Sequence, residues 1–331
     1  MPLARQAVNE LSQHPPPCGE GWGGGGNAYH PRRRTMGPPM LYDIRLDLHY
    51  DYEAQVRGDR HLIRVTPISI PGVQRVIAAS LSFDPKPNRE TSFSDFFANT
   101  VTTIAYHGQH DHLDVRLVAR VHVEEAEKPA DLSPTVEALR QEIARLWSLA
   151  PQSPHHFLSA SPRIALDPTI TAYARDSVAR TPSTMAAAMD FCLAINRDFT
   201  YDRKATKVDT TPTEAFALKR GVCQDFSQVM IAGLRGVGIP AGYVSGFLRT
   251  IPPAGKPRLE GADAMHAWVR AWCGQHAGWI EFDPTNAMLA GPDHITIGHG
   301  RDYADISPIV GVLRTSGRHR AKQSVDVVRV E

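Results

Sequence analysis

The chain contains the stretch Gly221-Val-Cys-Gln-Asp-Phe-Ser-Gln-Val-Met-Ile-Ala-Gly-Leu-Arg-Gly-Val-Gly-Ile-Pro240, which has the pattern of a loop that turns directly into a buried helix. Apolar residues recur at three- and four-residue spacing, as on the core-facing side of an α-helix: Val222, Phe226, Val229, Met230, Gly233, Leu234 and Val237. Gly236, Gly238 and Pro240 predict the helix end, because glycine tolerates a left-handed C-cap and proline cannot continue a helix. The pattern places Cys223 in the first turn.

A thiol in the first turn of a helix has an unusual electrostatic environment. Cys223 would lie among backbone N–H groups that lack intrahelical acceptors, at the positive end of the helix dipole. Both features favour the nucleophilic thiolate over the thiol. Taken alone, Cys223 could also be a small buried hydrophobic residue, as most single cysteines are.

Two further candidates follow on neighbouring predicted strands. His266 begins the strand at residues 265–273, and Asp283 lies in the strand at residues 278–286, where Pro284 lacks the N–H needed to continue pairing. Adjacent antiparallel strands would bring the imidazole and the carboxylate together. A thiol triad needs these groups, because the imidazole takes the thiol proton and the carboxylate holds the ring in the correct tautomer. Each residue alone is also compatible with a structural role.

The composition argues against several classes of protein. The 331 residues suggest about two domains. The 36 basic and 35 acidic residues give a net charge of +1, which provides no basis for binding nucleic acid or an acidic membrane. No run approaches ~18 uninterrupted apolar residues, so no membrane span is expected, and the N-terminus has no apolar secretory segment. The four cysteines are widely separated and form no C-x-x-C pair: Cys18, Cys192, Cys223 and Cys273. This spacing predicts a cytoplasmic protein without disulfides or structural zinc.

Four segments differ in character. Residues 1–39 are rich in proline, glycine and arginine, which predicts a disordered tail or one created by an incorrectly assigned start. Residues 40–130 alternate apolar and polar side chains between turn signals, which predicts a β-sandwich. Residues 131–160 predict a helix and a linker, and residues 161–331 predict the catalytic domain with a C-terminal extension.

Two other groups have simple structural interpretations. His107, His110 and His112 suggest a metal site, but one polar turn does not supply ligands from several elements. We therefore expect solvated loop histidines and no metal. Cys192 falls in the apolar stripe of a helix predicted over residues 183–199 and is expected in the core.

Short motifs in the second half of the chain form one consistent set: Arg220-Gly-Val-Cys-Gln-Asp225, Gly238-Ile-Pro-Ala241, Val244-Ser-Gly246, Met265-His-Ala-Trp268, Trp279-Ile-Glu-Phe-Asp-Pro-Thr-Asn286 and Asp293-His-Ile-Thr-Ile-Gly-His-Gly-Arg-Asp-Tyr-Ala-Asp-Ile-Ser-Pro308. The N-terminal region adds Tyr50-Asp-Tyr52 and Asp95-Phe-Phe-Ala-Asn99. Together they resemble the bacterial branch of the transglutaminase-like superfamily, a family often described as cysteine proteases. The resemblance covers nearly everything from Met40 onward.

The resemblance implies an α+β fold. An N-terminal β-sandwich would precede a papain-like core, in which a helix carrying the cysteine packs on an antiparallel sheet carrying the histidine and the aspartate. Matched position by position, it implies Cys223 as nucleophile, His266 as base and Asp283 as the residue that orients the base. Many relatives have arginine where this chain has Gly242. We expect this difference to affect strand packing or substrate contacts and to leave the triad unchanged.

Further site residues are expected from the mechanism. The backbone N–H of Cys223 would form half of an oxyanion hole, and the sequence does not identify the second donor. Several residues could line a substrate cleft or be ordinary surface and core residues: Gln224, Trp268, Arg301, Asp302 and Tyr303. No cofactor is implied, and no D-x-D-x-D-G loop predicts calcium.

Two classes of function fit these residues. In a thiol acyl-transfer enzyme, Cys223 would attack an amide or γ-glutamyl carbonyl of a peptide or protein and form a thioester. Water as acceptor gives a peptidase or amidase, which we favour because nothing marks an amine site; an amine acceptor gives a transglutaminase. In the other class, a non-catalytic module binds a partner through its β-sandwich. The sequence leaves the oligomeric state open.

Overall fold

A computed structural model describes residues 40–124, 129–250, 261, 263–314 and 318–330. The tail at residues 1–39, for which the sequence predicts disorder, lies outside the described residues. The strands are β1 (Met40–Ile63), β2 (Gln74–Asp84), β3 (Arg89–Ser94), β4 (Thr100–Ala105), β5 (Gln109–Val123), β6 (Thr200–Tyr201), β7 (Arg220–Gly221), β8 (Ala241–Leu248), β9 (Ala264–Trp272), β10 (Trp279–Asp283), β11 (Met288–Leu289), β12 (His294–Gly300), β13 (Ile309–Arg314) and β14 (His319–Val330). The helices are α1 (Val136–Ala144), α2 (Pro168–Arg180), α3 (Thr184–Asp198), α4 (Pro212–Leu218), α5 (Cys223–Gly236) and α6 (Tyr303–Ile306), with a 3-10 turn at Pro154–Phe157.

The N-terminal strands form one antiparallel sheet in which β1 is central. Five strands follow the order β2-β5-β1-β4-β3, and β13 and β14 also pair with β1. The alternation in the sequence buries Ile44 and Leu46 and leaves Arg45 between them exposed. The sequence predicts a β-sandwich over residues 40–130; these residues are β-rich, and their strands are joined into a single hydrogen-bonded sheet.

The last two strands lie outside the domain in which the sequence places them. The sequence predicts a catalytic domain with a C-terminal extension over residues 161–331, yet β14 at the end of this range pairs with β1, with Leu41 opposite Val330. Val325 and Val327 are buried in the core that β1 lines. Pairing with β14 satisfies backbone groups that a free edge of β1 would leave exposed. This pairing joins opposite ends of the chain, so no local pattern predicts it.

The second half of the chain forms a five-stranded antiparallel sheet covered on both sides. Its order is β11-β10-β9-β8-β12. One core joins this sheet to the helices and includes Met230 of α5 and Val269 of β9. The other core joins it to the N-terminal sheet and includes Phe247, Ile295 and Ile297. The predicted α+β fold class is confirmed.

The helix α5 begins and ends where the sequence predicts. Its end is followed by Gly238, whose φ of +87° is a left-handed conformation that favours glycine. Arg235 in its last turn is buried, and its guanidinium donates to the carbonyls of Ala241 and Ser159 at 3.0 and 2.9 Å. These hydrogen bonds tie the end of α5 to β8 and to the loop before α2. Among the described helices, none combines the length and apolar character that a membrane crossing requires.

Candidate active site

The first turn of α5 holds Cys223 in a half-buried position. The Asp225 carboxylate accepts the Val222 N–H at 2.8 Å and the Thr206 hydroxyl at 2.6 Å. Burial raises the pKa of Asp225, while these two hydrogen bonds act in the opposite direction. Gly221 leaves room for the carboxylate, because a Cβ there would lie 2.5 Å from Asp225 Oδ2. The Gly-Val-Cys-Gln-Asp sequence therefore fixes the helix start that carries the sulfur.

The backbone next to the sulfur offers unused hydrogen-bond donors. The Phe226 N–H bonds to the Val222 carbonyl at 3.1 Å, whereas the N–H groups of Cys223 and Gln224 have no acceptor among the described residues. The Gln224 side chain, a predicted cleft residue, instead donates to the Val208 carbonyl at 3.0 Å. Its amide is therefore engaged by the loop before α4.

His266 and Asp283 lie on adjacent antiparallel strands, as their order in the sequence suggests. Strands β9 and β10 pair with Phe282 opposite Val269, and His266 Nε2 lies 2.7 Å from Asp283 Oδ2. The Cys223 side chain is a second hydrogen-bond partner of His266. Because Asp283 engages Nε2, Nδ1 is the ring nitrogen left for the sulfur. The structure thus brings the three predicted side chains together.

The electrostatics of the pair favour an imidazolium next to a carboxylate. Burial lowers the pKa of His266, but its hydrogen bonds with Asp283 and Cys223 outweigh burial and raise the pKa to about 10. Burial raises the pKa of Asp283, but the hydrogen bonds from His266 and His294 hold that pKa far below its ordinary value. Asp283 is therefore ionised at neutral pH and can stabilise a proton on His266.

The Asp283 carboxylate is held by more groups than the sequence predicts. The backbone N–H groups of Thr285 and Asn286 donate to Oδ1 at 2.9 and 3.1 Å. The Asn286 side-chain amide donates to Oδ2 at 2.7 Å, and His294 Nε2 lies 3.0 Å from the same oxygen. Asn286 and His294 both fall inside the quoted motifs, but nothing in the linear sequence indicates that they meet this carboxylate.

Trp268 supports His266 and does not line an open cleft. Its side chain is 0% exposed, and its indole N–H donates to Glu281 Oε2 at 2.6 Å. The indole stacks on the imidazole of His266 with ring centroids 6.0 Å apart and planes 27° apart. The predicted cleft role of Trp268 is wrong, since a fully enclosed ring cannot contact a substrate.

Two other predicted cleft residues are engaged in holding the loop around α6. Asp302 is fully buried, and its carboxylate accepts the N–H groups of Ala304 and Arg163 at 2.8 and 2.7 Å. Its predicted cleft role is therefore wrong, because both oxygens cap backbone groups. Arg301 forms a two-pronged ion pair with Asp305 at 2.8 and 2.9 Å.

A pair of tyrosines packs this loop against β8. Tyr303, the remaining predicted cleft residue, packs edge-on against Tyr243 of β8 with ring centroids 6.0 Å apart. Burial raises the pKa of Tyr243 well above its ordinary value, and the nearby charge of Cys223 raises it further. Tyr243 is buried beside this loop on β8, and the sequence does not single it out.

Gly242, the departure from the family pattern, is explained by strand packing. A Cβ at this position would lie 2.9 Å from both the Gly300 carbonyl oxygen and Phe157 Cδ1. The close approach of β12 and the 3-10 turn therefore requires glycine here. Of the two expected effects of this difference, the structure supports the packing effect.

Two groups of described residues place three possible metal ligands within 4.8 Å of one another. They are the buried set His266, Asp283 and His294 and the more exposed set Asp84, His112 and Asp114. In the first set, the ligand atoms are hydrogen-bonded to one another. His110 is buried 3.4 Å from Asp59, so the expectation that it is a solvated loop histidine is wrong.

Two protein-family models and several relatives match this chain. The model of the transglutaminase-like superfamily matches residues 171–284, and the model of the bacterial transglutaminase-like N-terminal region matches residues 42–122. An uncharacterized protein of Mycobacterium tuberculosis is 34% identical over 264 residues, covering 78% of this chain and 83% of the relative. An uncharacterized protein of Mycobacterium leprae is 28% identical over 283 residues, covering 85% and 96%.

The fold also matches a solved structure. A putative cysteine protease from Cytophaga hutchinsonii superimposes with a TM-score of 0.70 at 18% identity, covering 89% of this chain and 92% of that protein. At 18% identity, this similarity shows a shared fold. Because both family models match in order and the mycobacterial relatives share most of their length with it, the chain belongs to the transglutaminase-like superfamily, with the bacterial transglutaminase-like N-terminal region.

Proposed function

We propose that this chain is a cysteine-dependent acyl-transfer enzyme that hydrolyses an amide or γ-glutamyl bond in a peptide or protein substrate. One observation carries the proposal: a helix-terminal thiol, Cys223, is hydrogen-bonded to His266, which Asp283 holds through its other ring nitrogen. Membership of the transglutaminase-like superfamily supports an enzyme of this class. A cytoplasmic location stays a prediction from the distribution of cysteines.

The acylation half-reaction needs only the groups described. His266 Nδ1 takes the proton of Cys223, and the sulfur forms a bond to the substrate carbonyl carbon. The free backbone N–H of Cys223 donates to the developing oxyanion, an interaction typically worth ~3–4 kcal/mol of barrier. When the C–N bond breaks, the imidazolium gives its proton to the leaving nitrogen, so an amine departs and a thioester remains. Asp283 keeps Nε2 protonated throughout.

Hydrolysis then reverses the roles of the groups. His266 takes a proton from a water molecule as its oxygen bonds to the thioester carbon. The C–S bond breaks, the carboxylic acid departs, and the sulfur leaves as a thiolate paired with the imidazolium. Water is the proposed acceptor because hydrolysis needs no second substrate site, whereas an amine acceptor requires a site that excludes water.

The reactivity of Cys223 tests the proposal without a known substrate. We expect iodoacetamide to alkylate Cys223 rapidly and selectively below neutral pH, because the helix N-terminus and His266 favour the reactive thiolate. Peptide mass mapping assigns the adduct, and Cys273→Ala, which removes a buried cysteine elsewhere, serves as the matched control. Alkylation that rises only at alkaline pH, as for an ordinary thiol, would contradict the proposal.

Trapping identifies the substrate and the acceptor. We expect wild-type protein, but not Cys223→Ala, to form a thioester with members of a peptide or γ-glutamyl library, detected as a mass adduct. Adding a primary amine to the trapped species separates the two acceptors. Release of the free acid at an unchanged rate supports hydrolysis, whereas conversion to the amide identifies a transglutaminase. Full turnover by Cys223→Ala on any such substrate rules out the mechanism.

A further inference from the structure

A second histidine shares the carboxylate oxygen that holds His266. His294, the first residue of β12, is buried, and its Nε2 lies 3.0 Å from Asp283 Oδ2, beside the 2.7 Å contact from His266 to the same oxygen. Both imidazoles also contact Trp268, since His294 meets the indole edge-on with centroids 5.1 Å apart. The acyl-transfer steps described above use only one of the two histidines.

The hydrogen bonds of His294 define which nitrogen carries its proton. The Gly291 N–H donates to His294 Nδ1 at 3.1 Å. A neutral imidazole that accepts at Nδ1 carries its proton on Nε2. His294 therefore donates its Nε2–H to Asp283, in an orientation that a backbone group fixes.

The N-terminal sheet holds the segment that delivers His294. The buried Tyr42 of β1 donates its hydroxyl to Asp293 Oδ1 at 3.0 Å, one residue before His294. Two residues after it, the side chain of Gln74 donates to the Thr296 carbonyl at 2.7 Å and accepts the Thr296 N–H at 2.9 Å. Strand β12 is an edge strand of its own sheet, so these bonds supply partners that its free side would otherwise lack.

We propose that His294 is a positioning residue of the active site, which donates to Asp283 so that the carboxylate presents one fixed oxygen to His266. The proposal rests on the proposed function, because this positioning matters only if Cys223 and His266 react. Through Tyr42 and Gln74, the N-terminal sheet then takes part in arranging the site.

One more titratable group faces the carboxylate. Burial, and then the charge of Asp283, raise the pKa of Cys192 on α3 to about 12. Cys192 lies in the helical core, as the sequence predicts, and stays protonated at neutral pH. Among the described residues, His266 and His294 are the titratable groups hydrogen-bonded to Asp283.

The experiment compares two substitutions of His294 by the pH profile of iodoacetamide alkylation at Cys223. We expect His294→Phe to slow alkylation below neutral pH by about tenfold or more, the usual effect of losing one hydrogen bond to a charged group. The hydrogen bond from His294 lowers the pKa of Asp283, so its loss should raise that pKa. The acid side of the alkylation profile of His294→Phe should therefore move to higher pH. His294→Gln places an amide N–H near the position of Nε2 and restores the rate to within about threefold.

The thermal unfolding midpoint of each variant separates positioning from stability. A merely structural role would lower the midpoint and leave the pH profile in place, and that result overturns the proposal. If wild-type protein lacks a reactive thiol below neutral pH, the proposed function itself fails. If His294→Phe does not fold, Tyr42→Phe carries the test, because it removes only the hydroxyl bound to Asp293. A smaller shift of the profile in the same direction supports the proposal, and an unchanged profile overturns it.

Discussion

At the scale of single residues, Asp283 shows how a buried charge is made tolerable. Removing a carboxylate from water costs several kcal/mol unless hydrogen bonds compensate. Both oxygens of Asp283 are occupied by donors from the backbone at Thr285 and Asn286, from the Asn286 amide, and from His266 and His294. The donors that stabilise the negative charge also fix the orientation of the carboxylate. Protein stability and the proposed reactivity of the site therefore both depend on Asp283.

The acid stability of the protein should therefore depend on Asp283. Its pKa is lowered in the folded state, so its contribution is present above the unfolded value of about 4 and is lost as the pH falls toward the lowered folded pKa. We expect wild type to exceed Asp283→Asn in free energy of unfolding by about 3 kcal/mol at neutral pH, and by less at about pH 3. Urea unfolding measures both, with the exposed Glu137→Gln as control. A difference that does not change with pH would contradict this account.

His266 should show the opposite pH dependence. Its folded pKa of about 10 lies above the unfolded value, so its contribution is complete below about pH 6.5 and is lost as the pH rises through about 10. We expect the difference in free energy of unfolding between wild type and His266→Gln to shrink between about pH 6 and about pH 10.5. Urea unfolding at the two pH values checks this, and a difference that grows with pH would contradict it.

At the scale of elements, the site depends on how closely three strands approach one another. Gly246 of β8 lies opposite His266 of β9, and a Cβ at Gly246 would collide with the indole of Trp268 and the Ile295 carbonyl oxygen. Trp268 in turn stacks on His266. A glycine on one strand thus leaves the space that a tryptophan on the next strand needs to support the imidazole.

Adding one methyl group at this position should therefore disturb both stability and the site. We expect Gly246→Ala to lower the free energy of unfolding by about 3 kcal/mol, because an overpacked core must shift its backbone or Trp268. Thermal denaturation measures the loss, and tryptophan fluorescence reports the displaced ring. Gly108→Ala, where a Cβ meets nothing within 4 Å, is the control and should change stability by about 0.5 kcal/mol or less. A wild-type midpoint for Gly246→Ala would show that this packing is looser than described.

Strand β12 is also held by the side-chain amide of a buried asparagine, Asn99. Asn99 donates to the His299 carbonyl and accepts the His299 N–H, both at 2.8 Å. We expect Asn99→Ala to cost about 2–4 kcal/mol, because it leaves a buried donor and acceptor unpaired. Asn88→Ala, which removes an exposed bond to the His107 N–H, is the matched control and should cost less than about 1 kcal/mol. Equal losses for the two variants, measured by urea unfolding, would contradict the assigned role of Asn99.

At the scale of the whole molecule, the two sheets share one hydrophobic core. The five-stranded sheet contributes Phe247 and Ile295 to the core of the N-terminal sheet, and β13 and β14 return from the C-terminal end to pair with β1. The chain is therefore not divided into two independent domains at residue 130, although the sequence changes character there.

This shared core predicts cooperative unfolding. We expect residues 40–330 to unfold in one transition, with circular dichroism and tryptophan fluorescence giving the same midpoint in urea. Deleting residues 309–331 should lower that midpoint strongly or prevent folding, because it exposes the edge of β1 and removes Val325 and Val327 from the core. Two separate transitions for the intact chain would contradict this description.

Much of the site could be predicted because its signals are short. The apolar spacing and the terminal glycines place Cys223 in the first turn of α5 and predict its end near Gly236, since helix formation depends on neighbours within four positions. The motifs around Cys223, His266 and Asp283 identify the three side chains, and two predicted strands in sequence suffice to pair the latter two. The cleft residues were less predictable, because a polar or aromatic side chain in a motif can serve packing as well as binding.

The remaining features needed the packed molecule. His294 reaches Asp283, Trp268 of β9 is enclosed by residues of β8, β10 and β12, and β14 pairs with β1 only after distant segments have found their register. Register and sheet stacking depend on contacts between residues far apart in the chain, which local periodicity does not encode. Local sequence thus specifies the helix and the candidate catalytic groups, and long-range strand pairing decides what surrounds and orients them.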